Sequence, residues 1–266
     1  MLNAQNGCLS LPSGTTDYIR FGGGSRTMVV LPGLGDGLTT VKGMALPFAL
    51  LYRSLTKDFT VWMFSRRREL APHTDTREMA EDLNAAMEAL GLSGAAVVGV
   101  SQGGMIAQWL AIGHPDKVAR LVLTVTLCRP NDTVRDVIER WTGMARRGDY
   151  KGLMLDTAER SYSPERVRRQ KLGLGLMGNL GRPKSFERFL IQAESCVTHD
   201  SSAELGHIAC PTLVIGGTED QIVTGSASEE LAAGIPDSRL YLYEGLGHGL
   251  YEEAPDFWGR VAAFCR

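Results

Sequence analysis

Along the chain, short runs of apolar residues alternate with longer stretches in which apolar positions recur every three or four residues. Runs of the first kind suit strands buried on both faces, and stretches of the second kind suit helices that cover them. Strands are predicted near Gly7–Leu11, Asp17–Phe21, Thr27–Leu31, Phe59–Phe64, Ala95–Val100, Val118–Leu127, Pro211–Gly216 and Ser238–Tyr243. Between them, Asp75-Thr76 followed by Glu78 and a stripe of Met79, Leu83, Ala86, Met87 and Leu90 predicts a capped helix closed by Gly91. Gln102–Ile112 is a second helix, ended by Gly113-His114-Pro115, where proline makes continuation costly. Ala227–Ala233 and Asp256–Cys265 are two more. The pattern is that of an α/β protein with a mostly parallel eight-stranded sheet flanked by helices.

That rhythm breaks after Cys128-Arg129-Pro130. To about Leu205 no strand-like run occurs, only helical patterns rich in arginine, with glycines at 173, 175, 178 and 181. The chain therefore divides into a core, residues 1–128 and 206–266, and an insertion, residues 129–205. A length of 266 residues suits one core with such an insertion.

Composition narrows the field without naming a function. A hydrophobic content of 44%, a charged content of 22% and a formal charge of -2 imply no pull toward nucleic acid or acidic membranes. Cys8, Cys128, Cys196, Cys210 and Cys265 are scattered and never spaced as Cys-x-x-Cys, so they read as free thiols and suggest no zinc site. No apolar run approaches the roughly eighteen residues of a membrane span, and the N-terminus has no basic and apolar leader pattern. A cytoplasmic location is the expectation by elimination.

Candidate chemistry concentrates at Gly99-Val100-Ser101-Gln102-Gly103, where the Ala95–Val100 run stops and a helix begins. A Gly-x-Ser-x-Gly sequence on a strand-to-helix turn can force a serine hydroxyl into the open as a nucleophile. Serine needs a base within hydrogen-bond reach and a carboxylate to orient that base. With the chain order Ser, acid, His, only His248 among His73, His114, His199, His207 and His248 follows a suitable acid. Asp220, just past the Pro211–Gly216 strand, is the preferred acid, with Glu219 one residue away and Asp132 a remote alternative that reads more simply as a turn and helix start. Backbone N–H groups of Gln102 and Leu34 are the expected oxyanion hole.

These elements together resemble the α/β-hydrolase superfamily over nearly the whole chain outside 129–205. The resemblance implies that 129–205 is a helical cap, or lid, over the pocket. It also implies that the Leu34 loop, reading Leu31-Pro32-Gly33 before it, stands where the family carries a His-Gly-x oxyanion loop. A serine at position 101 sets the chain apart from the dehalogenase and epoxide hydrolase branches, whose nucleophile is aspartate. The expected activity is cofactor-free, metal-free hydrolysis of a small carboxylic ester, lactone or thioester through a Ser101 acyl-enzyme. Carbon–carbon bond hydrolysis or perhydrolase chemistry on the same residues is the alternative, and a ligand-binding protein without turnover is another. Trp141, Met144, Met177 and Leu250 are candidate pocket residues. Gly173-Leu174-Gly175-Leu176-Met177-Gly178 spells a dinucleotide fingerprint, but it follows Arg168-Arg169-Gln170-Lys171 and not a strand, so no nucleotide is implied. Arg146, Arg147, Arg166, Arg168 and Arg169 are interleaved with acidic residues and read as a solvated helix face.

Overall fold

The computed structural model describes residues 2–168 and 181–266. Eight strands form one sheet: β1 (Gln5–Leu11), β2 (Gly14–Gly22), β3 (Arg26–Leu31), β4 (Phe59–Arg67), β5 (Ala95–Val100), β6 (Val118–Thr124), β7 (Thr212–Gly217) and β8 (Ser238–Tyr243). Their spatial order is β1-β2-β4-β3-β5-β6-β7-β8. Only the β1–β2 and β2–β4 pairings are antiparallel, and every pairing from β4 across to β8 is parallel. Both faces of the parallel part are covered, so β5 and β7 are buried at every position, which is why they read as unbroken apolar runs. Edge strand β1 alternates between exposed and half-buried residues instead.

The helices bounded within the described residues include α1 (Ala45–Leu51), α2 (Thr76–Ala89), α3 (Gln102–Gly113), α4 (Asp132–Arg146), α5 (Tyr150–Ser161), α6 (Glu187–Thr198), α7 (Gly225–Gly234), α8 (Leu250–Glu253) and α9 (Phe257–Cys265). Side chains alternate across the sheet, so neighbours on one strand enter different cores: Val98 belongs to the core of Phe21, Met28 and Phe257, while Val97 belongs to that of Leu83, Met87 and Leu110. The expected cap of α2 forms, with Asp75 Oδ1 accepting from the N–H groups of Arg77 at 2.9 Å and Glu78 at 2.8 Å.

Two elements depart from the sequence reading. The apolar run stays buried without a break from Leu121 to Cys128, but the strand stops at Thr124 because Val125 turns into the left-handed region, φ 44°. Burial there belongs to a strand and a turn, which hydrophobicity alone does not separate. Helix α1 was not anticipated, since Ala45–Leu51 shows no helical periodicity and carries Pro47, tolerated because it falls in the first turn.

Helices α4, α5 and α6 come from the chain between β6 and β7. Their apolar faces share a third core: Val137, Trp141, Leu153 and Phe189 meet Leu34, Leu127, Ile222 and Val223. Leu34, Leu127, Ile222 and Val223 each follow the carboxyl end of a parallel strand. This is the edge where α/β sheets place their ligands.

Candidate active site

At the end of β5 the backbone of Ser101 takes φ 53° and ψ −122°, and α3 begins at the next residue. A non-glycine residue held in so sparsely populated a region costs roughly 1–3 kcal/mol, so its surroundings must enforce it. They do so with hydrogen bonds on both sides of the residue. Ser101 N–H donates to Thr124 O at 2.9 Å, while Ser101 O accepts from Thr126 Oγ1 at 2.7 Å and from Gly104 N–H at 2.8 Å. The flanking glycines permit this packing. A Cβ at Gly99 would stand 2.5 Å from Gly103 O, and one at Gly103 would stand 2.2 Å from Leu31 O.

His248 lies between β8 and α8 and is 7% exposed. Its Nδ1 is 2.8 Å from Asp220 Oδ2. The other carboxylate oxygen, Oδ1, accepts from the N–H groups of Ile222 at 2.8 Å and Val223 at 3.0 Å. Burial alone would raise the Asp220 pKa, but the neighbouring imidazole and those two N–H groups outweigh it and hold the carboxyl below the ordinary aspartate value. The loops bearing the two residues press together, because a Cβ at Gly217 would lie 2.2 Å from Leu246 O. From the inserted side, Ser161 O at the end of α5 accepts from Gly249 N–H at 2.7 Å.

The structure separates the neighbouring candidates. Glu219 is exposed, and Asp132 opens α4, whose cap is Asn131. His73 contacts Glu194, His114 contacts Glu81, and His207 is exposed. His199 is buried against Thr76, and desolvation pushes its pKa down to about 4. Only His248 shares a cavity with Ser101 among the described histidines.

That cavity has a volume of about 410 Å³ and is walled by the Leu34 loop, Val41, Phe48, Trp141, Tyr162 and Tyr251. Leu34–Gly37 is a single 3-10 turn, and the chain before it abuts the Ser101 elbow, since a Cβ at Gly33 would stand 3.2 Å from Ser101 Cβ. Of the pocket residues expected from sequence, Trp141 lines the cavity. Met144 packs instead beside the core of α4 and α6, and Leu250 is fully buried in the core with Phe257 and Val261. Met177, with the glycine-rich run 173–178, lies outside the described residues. Phe48, Tyr162 and Tyr251 were missed, for they sit on a helix without periodicity, at a helix end and on a one-turn helix. No lysine or arginine lines the cavity among the described residues, and Arg146 and Arg147 open onto a different groove. No group of three or more His, Cys, Asp or Glu among the described residues is placed to hold a metal ion. Likewise, no described helix is long and apolar enough to cross a membrane.

Parallel sheet, strained serine elbow and a carboxylate-bound histidine at one strand edge define a class known from many proteins. The sequence model of the alpha/beta hydrolase fold matches residues 26–255, and the chain belongs to that family. RutD of Caulobacter sp. (strain K31), named for carbamate hydrolysis, is 29% identical over 258 residues, covering 92% of this chain and 94% of that protein. Polyketide synthase ThaQ of Burkholderia thailandensis is 29% identical over 255 residues, which are 91% of this chain but only 12% of that much longer protein. Among solved structures, MGS-M2, an alpha/beta hydrolase enzyme from a Medee basin deep-sea metagenome library, is similar with a TM-score of 0.84 at 21% identity, covering 97% of this chain and 96% of that one. The protein is a hydrolase of this fold.

Proposed function

We propose that the protein cleaves a small, uncharged carboxylic ester, lactone or thioester through an acyl-enzyme on Ser101. In this reading Ser101 Oγ attacks the carbonyl carbon while His248 takes the hydroxyl proton. Asp220, bound to Nδ1, keeps the proton-accepting nitrogen of the imidazole turned toward the serine and stabilises the imidazolium. The oxyanion is received by the N–H groups of Leu34 and Gln102. His248 then passes its proton to the leaving group, and a water activated by the same imidazole releases the acid. Among the described residues of the insertion, α4, α5 and α6 serve as the cap over this pocket.

The observation that carries the reading is the conjunction at one cavity of a serine in a strained, positive-φ elbow and a buried histidine 2.8 Å from a buried aspartate. An uncharged acyl group is supported by the mostly apolar and aromatic wall, where no lysine or arginine stands among the described residues and the carboxylate of Asp36 is turned to Arg188. The test is p-nitrophenyl ester turnover together with labelling by a fluorophosphonate. Ser101→Ala is expected to lose both, with turnover down by about 10⁴-fold or more. Labelling retained on another residue sinks the assignment.

A further inference from the structure

Both backbone segments assigned to the oxyanion hole are gripped by one inserted helix, α6. From that helix Arg188 donates through Nε to Arg67 O at 2.8 Å and through Nη2 to Arg66 O at 2.9 Å, and its guanidinium also contacts the backbone oxygen and Oδ2 of Asp36. Asp36 stands two residues past Leu34 in the same 3-10 turn, and its carboxylate is buried. The Oδ2 atom also accepts from Arg66 N–H at 3.1 Å and lies 3.4 Å from Gln192 Nε2. One turn along α6 the contacts pass to the other donor segment. Gln102, fully buried, donates through Nε2 to Gln192 O at 2.7 Å and to Ser195 Oγ at 3.0 Å.

Arg188, Gln192 and Ser195 fall at i, i+4 and i+7, a single helix face. That face lies hard against the turn, since a Cβ at Gly37 would stand 2.8 Å from Phe189 Cα. Apolar packing could fill such a site at less cost than a buried ion pair. What charge-assisted, forked hydrogen bonds add is fixed direction and distance.

We propose that Arg188, Gln192 and Ser195 are positioning residues that set the oxyanion hole, so that the inserted helix acts on the transition state as well as covering the pocket. The inference rests on the hydrolase reading of Ser101 given above. A slackened Leu34 turn or Gln102 loosens hydrogen bonds that strengthen only as the oxyanion forms, so the loss falls on kcat more than on KM.

The experiment uses the full chain, p-nitrophenyl butyrate, and an alkyl trifluoromethyl ketone whose hemiketal with serine carries the same oxyanion. Removing one oxyanion donor outright costs about 10²–10³-fold, so a displaced donor in Arg188→Ala should lower kcat by about 10–100-fold and Ser195→Ala by about 3–10-fold. The ketone's inhibition constant should rise by the same factor in each variant, KM should stay within about threefold, and Arg188→Lys should recover part of the loss. Exhaustive fluorophosphonate labelling counts the competent sites and removes any unfolded fraction from the rates. Per-site kcat and ketone affinity unchanged in Ser195→Ala and in whichever Arg188 variant folds would overturn the inference alone, provided wild-type Ser101 is labelled. Wild-type protein unlabelled at Ser101 overturns the hydrolase reading and this inference with it.

Discussion

Two aspartates, one at the carboxyl end of β7 and one inside the inserted helices, are equally buried and yet meet different partners. Asp220 and Asp156 are each 7% exposed. Burial pushes both pKa values up, and in both the hydrogen-bonding and charged partners win and hold the carboxyl below the ordinary aspartate range. The partners differ in kind. Asp156 accepts from Trp141 Nε1 at 2.8 Å, Arg140 Nε at 2.7 Å and Arg160 Nε at 2.9 Å, an indole and two guanidinium groups that donate hydrogen bonds and accept none. Asp220 faces two backbone N–H groups and an imidazole on a residue that lines the same cavity as Ser101. A depressed pKa in a buried carboxylate therefore marks a satisfied charge. Under the proposed function, whether that charge is a clamp or part of a reaction depends on which partner it holds at the cavity of Ser101, the donor-only indole of Trp141 or the imidazole of His248.

The contrast breaks most sharply at Asp220→Asn. Its kcat should fall about 10⁴-fold while the folded state survives, because an amide favours the wrong imidazole tautomer without emptying the site. Steady-state kinetics beside near-ultraviolet circular dichroism checks it, and a loss under tenfold would put Asp220 in the same class as Asp156. At Asp156→Ala the effects should exchange places. Stripping the acceptor from a buried indole N–H and two guanidinium groups should cost about 2–4 kcal/mol in urea unfolding, with kcat per folded molecule within a few-fold of wild type. Acid should then merge the two variants with wild type. A carboxyl whose folded pKa is depressed contributes stability above its unfolded value, near 3.8, and loses it as pH falls through the lower folded value. Melting temperatures should thus converge below about pH 3.8, and a gap that persists undiminished to pH 2 would mean that the carboxylate charge is not what is lost. The smallest effect belongs to Arg140→Ala. Its side chain is 55% exposed, so solvent screening should hold the cost under about 1 kcal/mol, measurable as a small shift in the urea midpoint.

Where the sequence was legible, the governing interactions were local. The strand of Ala95–Val100, the glycine-bounded turn at Ser101 and the helix from Gln102 follow from neighbours in the chain, as does the Asp75 cap. The order of serine, acid and histidine after successive strands brought Asp220 and His248 into one frame, though the choice between Glu219 and Asp220 needed the turn that exposes one and buries the other. Contacts across long separations left no comparable trace. Arg188 and Asp36 stand 152 positions apart, and nothing local to Glu187–Thr198 distinguishes its arginine, aimed at the Leu34 turn, from the solvent-facing arginines elsewhere in the insertion. Leu250 shows the same limit in reverse. It follows His248 closely enough to suggest the pocket, but the one-turn helix it begins directs its side chain into the core against Phe257.

Placing Ser101 directly before a helix has an electrostatic consequence. The aligned peptide dipoles of α3 leave about half a positive charge at its first turn, where Gln102 presents its N–H. No acidic residue stands in that turn to cancel it, and every residue from Gln102 to Ala111 is buried, so little water screens the field. A negative charge forming on the substrate beside Ser101 would meet an electropositive end already in place, one that added salt weakens far less than it weakens a surface charge.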